Sequence, residues 1–166
     1  MSSLYTFWGF WPVAIPVVSR AEPGDADDMA EIHHRSFHRG WGADDFAAML
    51  QDRGILAHAI RRRPTAPIAG FVVSRLAADE AEILSIAVTQ RLRGRGYGGR
   101  LITAHVQDLM RAGIRQVFLE VEAENQAALT LYGHSGFTPI GRRKGYYKTA
   151  AGTADAVMMR RTLPPL

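Results

Sequence analysis

The period of apolar and polar positions changes several times along the chain, and each change predicts an element. VVSR (Val17–Arg20) reads as a first strand, and PGDADDMAEIHHRSF then repeats at helical spacing, with Asp25 or Asp27 near its start and Met29, Ile32, His33 and Ser36 along one side. GADDFAAMLQD predicts a second, short helix. ILAHAI and APIAGFVVSRL read as two strands of a hairpin around the basic, proline-containing RRRPTA. The mostly apolar EILSIAV (Glu82–Val88) is a further strand that ends just before an arginine- and glycine-rich stretch. A helix over Gly98–Ala112 follows, with Leu101, Ile102, Val106, Leu109 and Met110 on its apolar side and Gly113 as its stop. The strand QVFLEV, the helix NQAALTLYGHSG and the strands TPIGRR and TADAVMMRRTL, joined by a glycine-rich loop, complete an α/β pattern.

No internal repeat or break in composition divides this pattern, so residues 17–166 read as one domain behind an N-terminal extension over residues 1–16. The opening MSSLYTFWGFWPVAIPVVSR is apolar, yet it lacks a basic start and is interrupted by Pro12 and Pro16. About 18 continuous apolar residues are wanted for a membrane span, so neither a span nor a secretory signal is expected, and a cytoplasmic location is. With 166 residues, 47% of them hydrophobic, the chain can bury one cooperative core. Its net charge of +4, from 20 basic and 16 acidic residues, suits an anionic ligand without demanding nucleic acid. The absence of cysteine excludes disulfides, thiolate nucleophiles and thiolate metal sites. The six histidines include His33, His34 and His38 but no His-Glu-x-x-His arrangement, so no metal is expected.

The stretch RLRGRGYGGRL (Arg91–Leu101) carries the chemistry. A Walker A loop fails for want of a lysine and hydroxyl after the glycines. Gly94, Gly96 and Gly99 match the spacing of a dinucleotide fingerprint, with Glu120 about twenty residues on. The connection from Thr89 is too long for the tight turn that fingerprint needs, and the preceding strands read as antiparallel. A third reading needs only successive amides between Arg93 and Gly98 turned inward at a helix start, where glycine admits a pyrophosphate to the backbone and the helix dipole favours it. Arg91, Arg93, Arg95 and Arg100 add attraction or form a solvated basic face.

This stretch resembles the Arg/Gln-x-x-Gly-x-Gly/Ala acetyl-CoA-binding motif of the GCN5-related N-acetyltransferase (GNAT) superfamily, with Arg93, Gly96 and Gly98 in the defining places. EILSIAVTQRLRGRGYGGRLI and VFLEVEAENQAALTLYGHSGFTPIGRRKGYY are similar, in order, to the superfamily's central and C-terminal parts. The likeness is nearer still to bacterial ribosomal-protein-alanine N-acetyltransferases. It spans about Val17 to Leu163. The fold it implies is a mixed central sheet of about seven strands, splayed in the middle and flanked by about four helices. The cosubstrate it implies is acetyl-CoA, with the pantetheine bonded to the backbone of Ile86, Ala87 and Val88 and the phosphates on the amides of Arg93, Gly94, Arg95, Gly96, Tyr97 and Gly98.

For the chemistry, the resemblance implies Glu120 as the base that takes a proton from the acceptor amine and Tyr132 as the acid that protonates the departing thiolate. Strand parity puts Glu120 and Glu122 on one face with Phe118. Asn125 caps the helix that carries Tyr132 and, by resemblance, contacts the cosubstrate. Glu122 and Glu124 attract a cationic substrate end. Tyr146 and Tyr147 line a peptide groove, with Phe37 and Trp41 on its other wall. The implied acceptor is the N-terminal alanine of small-subunit ribosomal protein S18. Three alternatives stay open: acetylation of lysine or of a small amine, a noncatalytic acyl-CoA-binding module, and a ribosome- or RNA-associated protein built on RRRP and RLRGRG. A homodimer is left open too.

Overall fold

The computed structural model describes residues 15–38, 40–149 and 152–165. Of the expected N-terminal extension, residues 1–14 lie outside the described residues. Among the described residues seven strands form one sheet in the order β1-β2-β3-β4-β5-β7-β6: β1 Val17–Arg20, β2 Ile55–Arg61, β3 Ile68–Ala77, β4 Glu80–Val88, β5 Gln116–Glu122, β6 Thr138–Thr149 and β7 Gly152–Thr162. Four helices flank it: α1 Ala26–His34, α2 Ala43–Gln51, α3 Tyr97–Arg111 and α4 Gln126–His134. The expected architecture is the observed one.

The two faces of the sheet bury two apolar clusters. Leu101, Ile102, Val106 and Leu109 of α3 pack on Val72, Ile83, Val117, Leu119 and Val121, and α4 adds Tyr132. On the other face Met29 and Ile32 of α1 and Phe46 of α2 pack on Ala59, Phe71, Val73 and Ala87. Strands β2 and β3 are covered from both sides, which is why they read as nearly continuous apolar runs.

Every strand pair is antiparallel except β4 with β5. That parallel pair needs a crossover, and α3 supplies it. The register of β4 against β3 slips between Val73, opposite Ser85, and Ser74, opposite Ile83, so that Leu84 is an extra residue. Ala81 and Ile83 face the α3/α4 side before this bulge, whereas Ile86 and Val88 face it afterwards. The bulge thus exchanges the faces of odd and even residues and bends β4.

Several boundaries differ from expectation: β4 begins at Glu80, two residues before the expected Glu82, and α3 runs Tyr97–Arg111, one residue earlier at each end. The first helix is preceded by a 3-10 turn over Pro23–Asp25 and ends at His34. Ser36, expected on its apolar side, lies beyond that end and donates its hydroxyl back to Ile32 O at 2.7 Å. Asp25 does not cap α1 through its side chain; its carboxylate accepts from the Glu22 N–H at 3.0 Å and pairs with Arg61. Strand β6, expected to stop at Arg143, runs on to Thr149.

A polar chain crosses the core between α3 and the sheet. Ser74 Oγ lies 2.7 Å from His105 Nε2, His105 Nδ1 lies 2.8 Å from His58 Nδ1, and His58 Nε2 lies 3.0 Å from Asp108 Oδ2. Burial opposes the charge on Asp108, but hydrogen bonds from Arg111, His58 and Arg20 hold its pKa below the usual value. As a carboxylate it only accepts, so neutral histidines have one consistent arrangement: Ser74 donates to His105, His105 to His58, and His58 to Asp108. Burial keeps both rings neutral, lowering the pKa of His58 and pushing that of His105 down to about 3.

Candidate active site

Parallel pairing of β4 with β5 runs from Glu80 opposite Gln116 to Ile83 opposite Leu119 and stops there. Both strands continue, β4 to Val88 and β5 to Glu122. Beyond the bulge they part, and a slot opens in the middle of the sheet. The side chains of Ile86 and Val88 pack into the α3/α4 cluster and Ala87 into the other, so this part of β4 offers its backbone edge to the slot. An unpaired interior edge accepts an extended ligand as it would a strand.

At the C-terminal end of β4 a 3-10 turn over Gln90–Leu92 leads into the glycine stretch. Gly94 at φ +70° and Gly96 at φ +80° occupy left-handed conformations that a side chain would strain, and Gly96 is the N-cap of α3. A Cβ on Gly98 would come within 3.1 Å of Leu131 Cδ2, so glycine there lets α4 approach the start of α3. The unpaired N–H groups of this first turn form an anion cradle. Tyr97 is in the core, only 8% exposed, and contributes backbone alone to that cradle. The RNA-binding alternative thereby loses the one aromatic of its basic stretch. The side chain of the exposed Arg93 bonds to the protein itself: its Nε donates to Val88 O at 3.0 Å and its Nη2 to Ser36 Oγ at 3.0 Å. It brackets the end of β4 to the end of α1.

On β5, Val117, Leu119 and Val121 are buried against the α3/α4 side. Phe118, Glu120 and Glu122 therefore face the α1/α2 side, as their parity predicted. Glu120 Oε1 accepts from Arg143 Nη1 at 2.7 Å, with the carboxylate side chain 22% exposed. The half-buried Tyr147 is close by. Its phenol is pushed up to about 12, first by burial and then by the charges of Glu120, Tyr146 and Glu122. Tyr132, 6% exposed, packs its ring edge-on to Phe137 at 5.8 Å. Burial, with Tyr147 adding to it, raises this phenol far above its ordinary range, so it holds its proton. Asn125 caps α4, its Oδ1 accepting from the Ala128 N–H at 3.1 Å. The fold thus gathers Glu120, Glu122, Tyr132 and Tyr147 at the end of β5.

Tyr146 and Tyr147 lie on β6 and not in a loop. An irregularity between Arg143 and Tyr147 breaks the pairing with β7, and there Gly145, at φ +62°, donates its N–H to Asp155 Oδ1 at 3.0 Å. Tyr146 stands edge-on to Tyr147 at 5.1 Å and carries the Arg143 guanidinium 4.9 Å from its ring centre. Phe37 and Trp41 sit between α1 and α2, as expected. Trp41 stacks on buried His33 at 4.8 Å, so it serves the core as well, whereas Phe37 is 41% exposed. Burial pushes His33 down to about 4, and its neutral Nδ1 accepts from the Trp41 N–H at 3.0 Å.

Sequence reasoning missed three residues beside the slot: Arg143, Ser36 and Ser85. Ser85 follows the bulge and is 7% exposed, and its buried hydroxyl has no hydrogen-bond partner among the described residues. Arg143 lies in RRKGYY, and nothing in local spacing pairs it with a glutamate 23 positions earlier. Among the described residues no group of three or more histidines, aspartates and glutamates could hold a metal ion.

Comparison with known proteins gives the site its family. The acetyltransferase (GNAT) family model matches residues 26–137. The ribosomal protein bS18-alanine N-acetyltransferase of Escherichia coli K12 is 29% identical over 142 residues, covering 86% of this chain and 94% of that protein. The N-alpha-acetyltransferase RimI of Mycobacterium tuberculosis is 34% identical over 157 residues, covering 90% and 92%. The crystal structure of the Escherichia coli ribosomal-protein-S18-alanine N-acetyltransferase superposes with a TM-score of 0.83 at 28% identity, over 92% of this chain and 96% of that one. Arabidopsis thaliana NAA60 in complex with a bisubstrate analogue shares the fold, with a TM-score of 0.79 at 22% identity over 92% of this chain and 100% of that one. The matched span runs from α1 past α4 and contains both walls of the slot, its anion cradle, Glu120 and Tyr132; the chain belongs to the acetyltransferase (GNAT) family and is a GNAT-type acetyltransferase.

Proposed function

We propose that this enzyme transfers the acetyl group of acetyl-CoA directly to the free α-amine of a protein N-terminus, with an N-terminal alanine of the ribosomal protein S18 kind as acceptor. One observation carries the reading: Glu120 follows the last paired position of β4 and β5, with Tyr147 beside it, and faces the α1/α2 side, the side on which Phe37 packs against His33. The residues present fit acetyl-CoA. The Gly94–Gly98 turn and the start of α3 receive its phosphates, and the unpaired edge of Ile86–Val88 receives its pantetheine as a surrogate strand. The relatives named for N-terminal alanine and N-alpha acetylation support the acceptor class.

Each residue then has a chemical task. An α-amine has a reference pKa near 8, and its nitrogen attacks only when neutral. Glu120, directly or through water, takes the amine proton as the C–N bond forms. As the C–S bond breaks, Tyr132 supplies the proton that the thiolate needs, a donation open to a phenol that burial keeps protonated. Holding amine and thioester together across the slot removes the entropy of their encounter. Tyr146 and Phe37, both exposed, form the walls along which the acceptor's first residues lie.

The test uses acetyl-CoA with two acceptors, a peptide bearing a free N-terminal alanine and an Nα-blocked peptide whose amine is a lysine. Thiol release and product mass are followed. Acetylation of the free α-amine alone is the expected result. Modification of the lysine peptide alone would overturn the acceptor class, and failure to bind acetyl-CoA would overturn the reading of the Arg93–Gly98 cradle.

A further inference from the structure

We infer that Arg143 balances the charge of Glu120, so that the site receives the acceptor's α-amine as the neutral nucleophile and does not trap it as an ammonium. The inference rests on Glu120 as the acceptor-side base. Arg143 Nη1 lies 2.7 Å from Glu120 Oε1, and its guanidinium lies 4.9 Å from the ring centre of Tyr146. Arg143 pairs in register with Ala156, and Ala156 with Glu122, which puts Arg143 on the face that carries Glu120. The ionisable groups around Glu120 are Arg143 and Tyr147 of β6 and Glu122 of β5, with Tyr132 of α4 next to Tyr147. Opposite Glu120 on β7 stands the uncharged Met158. The tyrosines are neutral near pH 7. Arg143 is thus the positive charge beside a pair of carboxylates.

A carboxylate with no such partner attracts the ammonium form of an arriving amine and stabilises it. That raises the amine's pKa in the complex and opposes the deprotonation on which attack depends. Pairing with Arg143 offsets the charge of Glu120, so that only Glu122 still attracts the ammonium, and leaves Glu120 Oε2 to accept the departing proton. Arg143 acts through Glu120 and is a positioning residue. Stacking on Tyr146 places the guanidinium at the groove wall, where an acceptor meets it before reaching the slot.

The experiment compares wild type, R143Q, R143K and R142Q, full-length and with acetyl-CoA saturating, on the peptide with a free N-terminal alanine. Arg142 is the control: it points to the opposite face and pairs with Asp155 at 3.1 Å. The pH profile of kcat reports ionisations in the ternary complex, whereas that of kcat/KM reports the free species. A neighbouring charge moves a buried titrating group by about one to three pH units, and Arg143 is half exposed, so an effect on the bound amine at or below the lower end applies. For R143Q the acid limb of kcat moves up by about half a unit to one unit. The limb of kcat/KM stays in place, and KM below the midpoint falls because the ammonium form binds more tightly. R143K, which keeps the charge, and R142Q keep the wild-type limb. A uniform loss of kcat in R143Q at every pH, with no movement of the limb, marks a merely structural role and overturns the inference. Equal shifts in R143Q and R142Q overturn it as well, by pointing to general surface charge. If wild type fails to acetylate the peptide at any pH, the proposed function itself falls and takes this inference with it.

Discussion

Replacing His105 with leucine tests the buried polar chain through its response to pH. At pH 7.5 the substitution leaves two buried groups without partners, Ser74 Oγ and His58 Nδ1. Each orphaned group costs about 1–3 kcal/mol, and the leucine's own burial offsets part of this, so H105L is expected to be about 2–4 kcal/mol less stable. The pH dependence has a definite sign. His105 has a folded pKa of about 3, below its unfolded value of 6.5, so below pH 6.5 the unfolded chain binds a proton that the folded chain refuses. The stability that wild type derives from a neutral His105 is complete above pH 6.5 and falls by about 1.4 kcal/mol per unit beneath it, or roughly 2 kcal/mol by pH 5. H105L lacks this loss. Urea unfolding followed by circular dichroism, repeated from about pH 7.5 to pH 5, should show the gap between the two proteins closing by about 2 kcal/mol. A constant gap across that range would refute the neutral chain and with it the tautomers assigned from Asp108.

Three further substitutions test the site. E120Q should lower kcat on the N-terminal alanine peptide by about 100- to 10,000-fold while acetyl-CoA binding, measured by calorimetry, is unchanged. Y132F should lower kcat by roughly a hundredfold. Pre-steady-state mixing then checks that the loss lies in the transfer step and not in acetyl-CoA binding. G96A forces a side chain into φ +80° at the N-cap of α3, a cost of about 1–2 kcal/mol that should weaken acetyl-CoA about tenfold, read by the same calorimetry.

The parts of this fold that were legible in the sequence are those with a local period. The helical spacing of Leu101, Ile102, Val106 and Leu109 located α3, and the alternation in QVFLEVE put Glu120 and Glu122 on one face. Asn125 announced a cap by its place before an apolar helix. What escaped has no local signature. Polar residues around Lys144 and Gly145 read as a loop, yet β6 is an edge strand, where polar and charged residues are tolerated and even favoured. The Arg93–Ser36 bracket joins residues 57 positions apart, and the His58–His105 contact joins residues 47 apart. Each depends on the finished packing, and no window of sequence contains it.

The bulge at Leu84 explains why the site lies where it does. A regular β4 would continue its pairing with β5 past Ile83 and close the sheet, and the backbone edge of Ile86–Val88 would be spent on β5. One inserted residue bends the strand at the last paired position and exchanges the faces of the residues after it. The second irregularity, at Lys144–Tyr146 in β6, redirects the chain on the other side of the same opening and brings Arg143 and Tyr147 to Glu120. Elsewhere β4 and β5 are held by their regular partners, β3 and β7, so the slot can open without loosening the sheet. The cost is visible beside it: Ser85, immediately after the bulge, buries a hydroxyl that has no hydrogen-bond partner among the described residues. Stability and access are thus divided between regular and irregular segments of the same strands, and the chemistry gathers at the irregular ones.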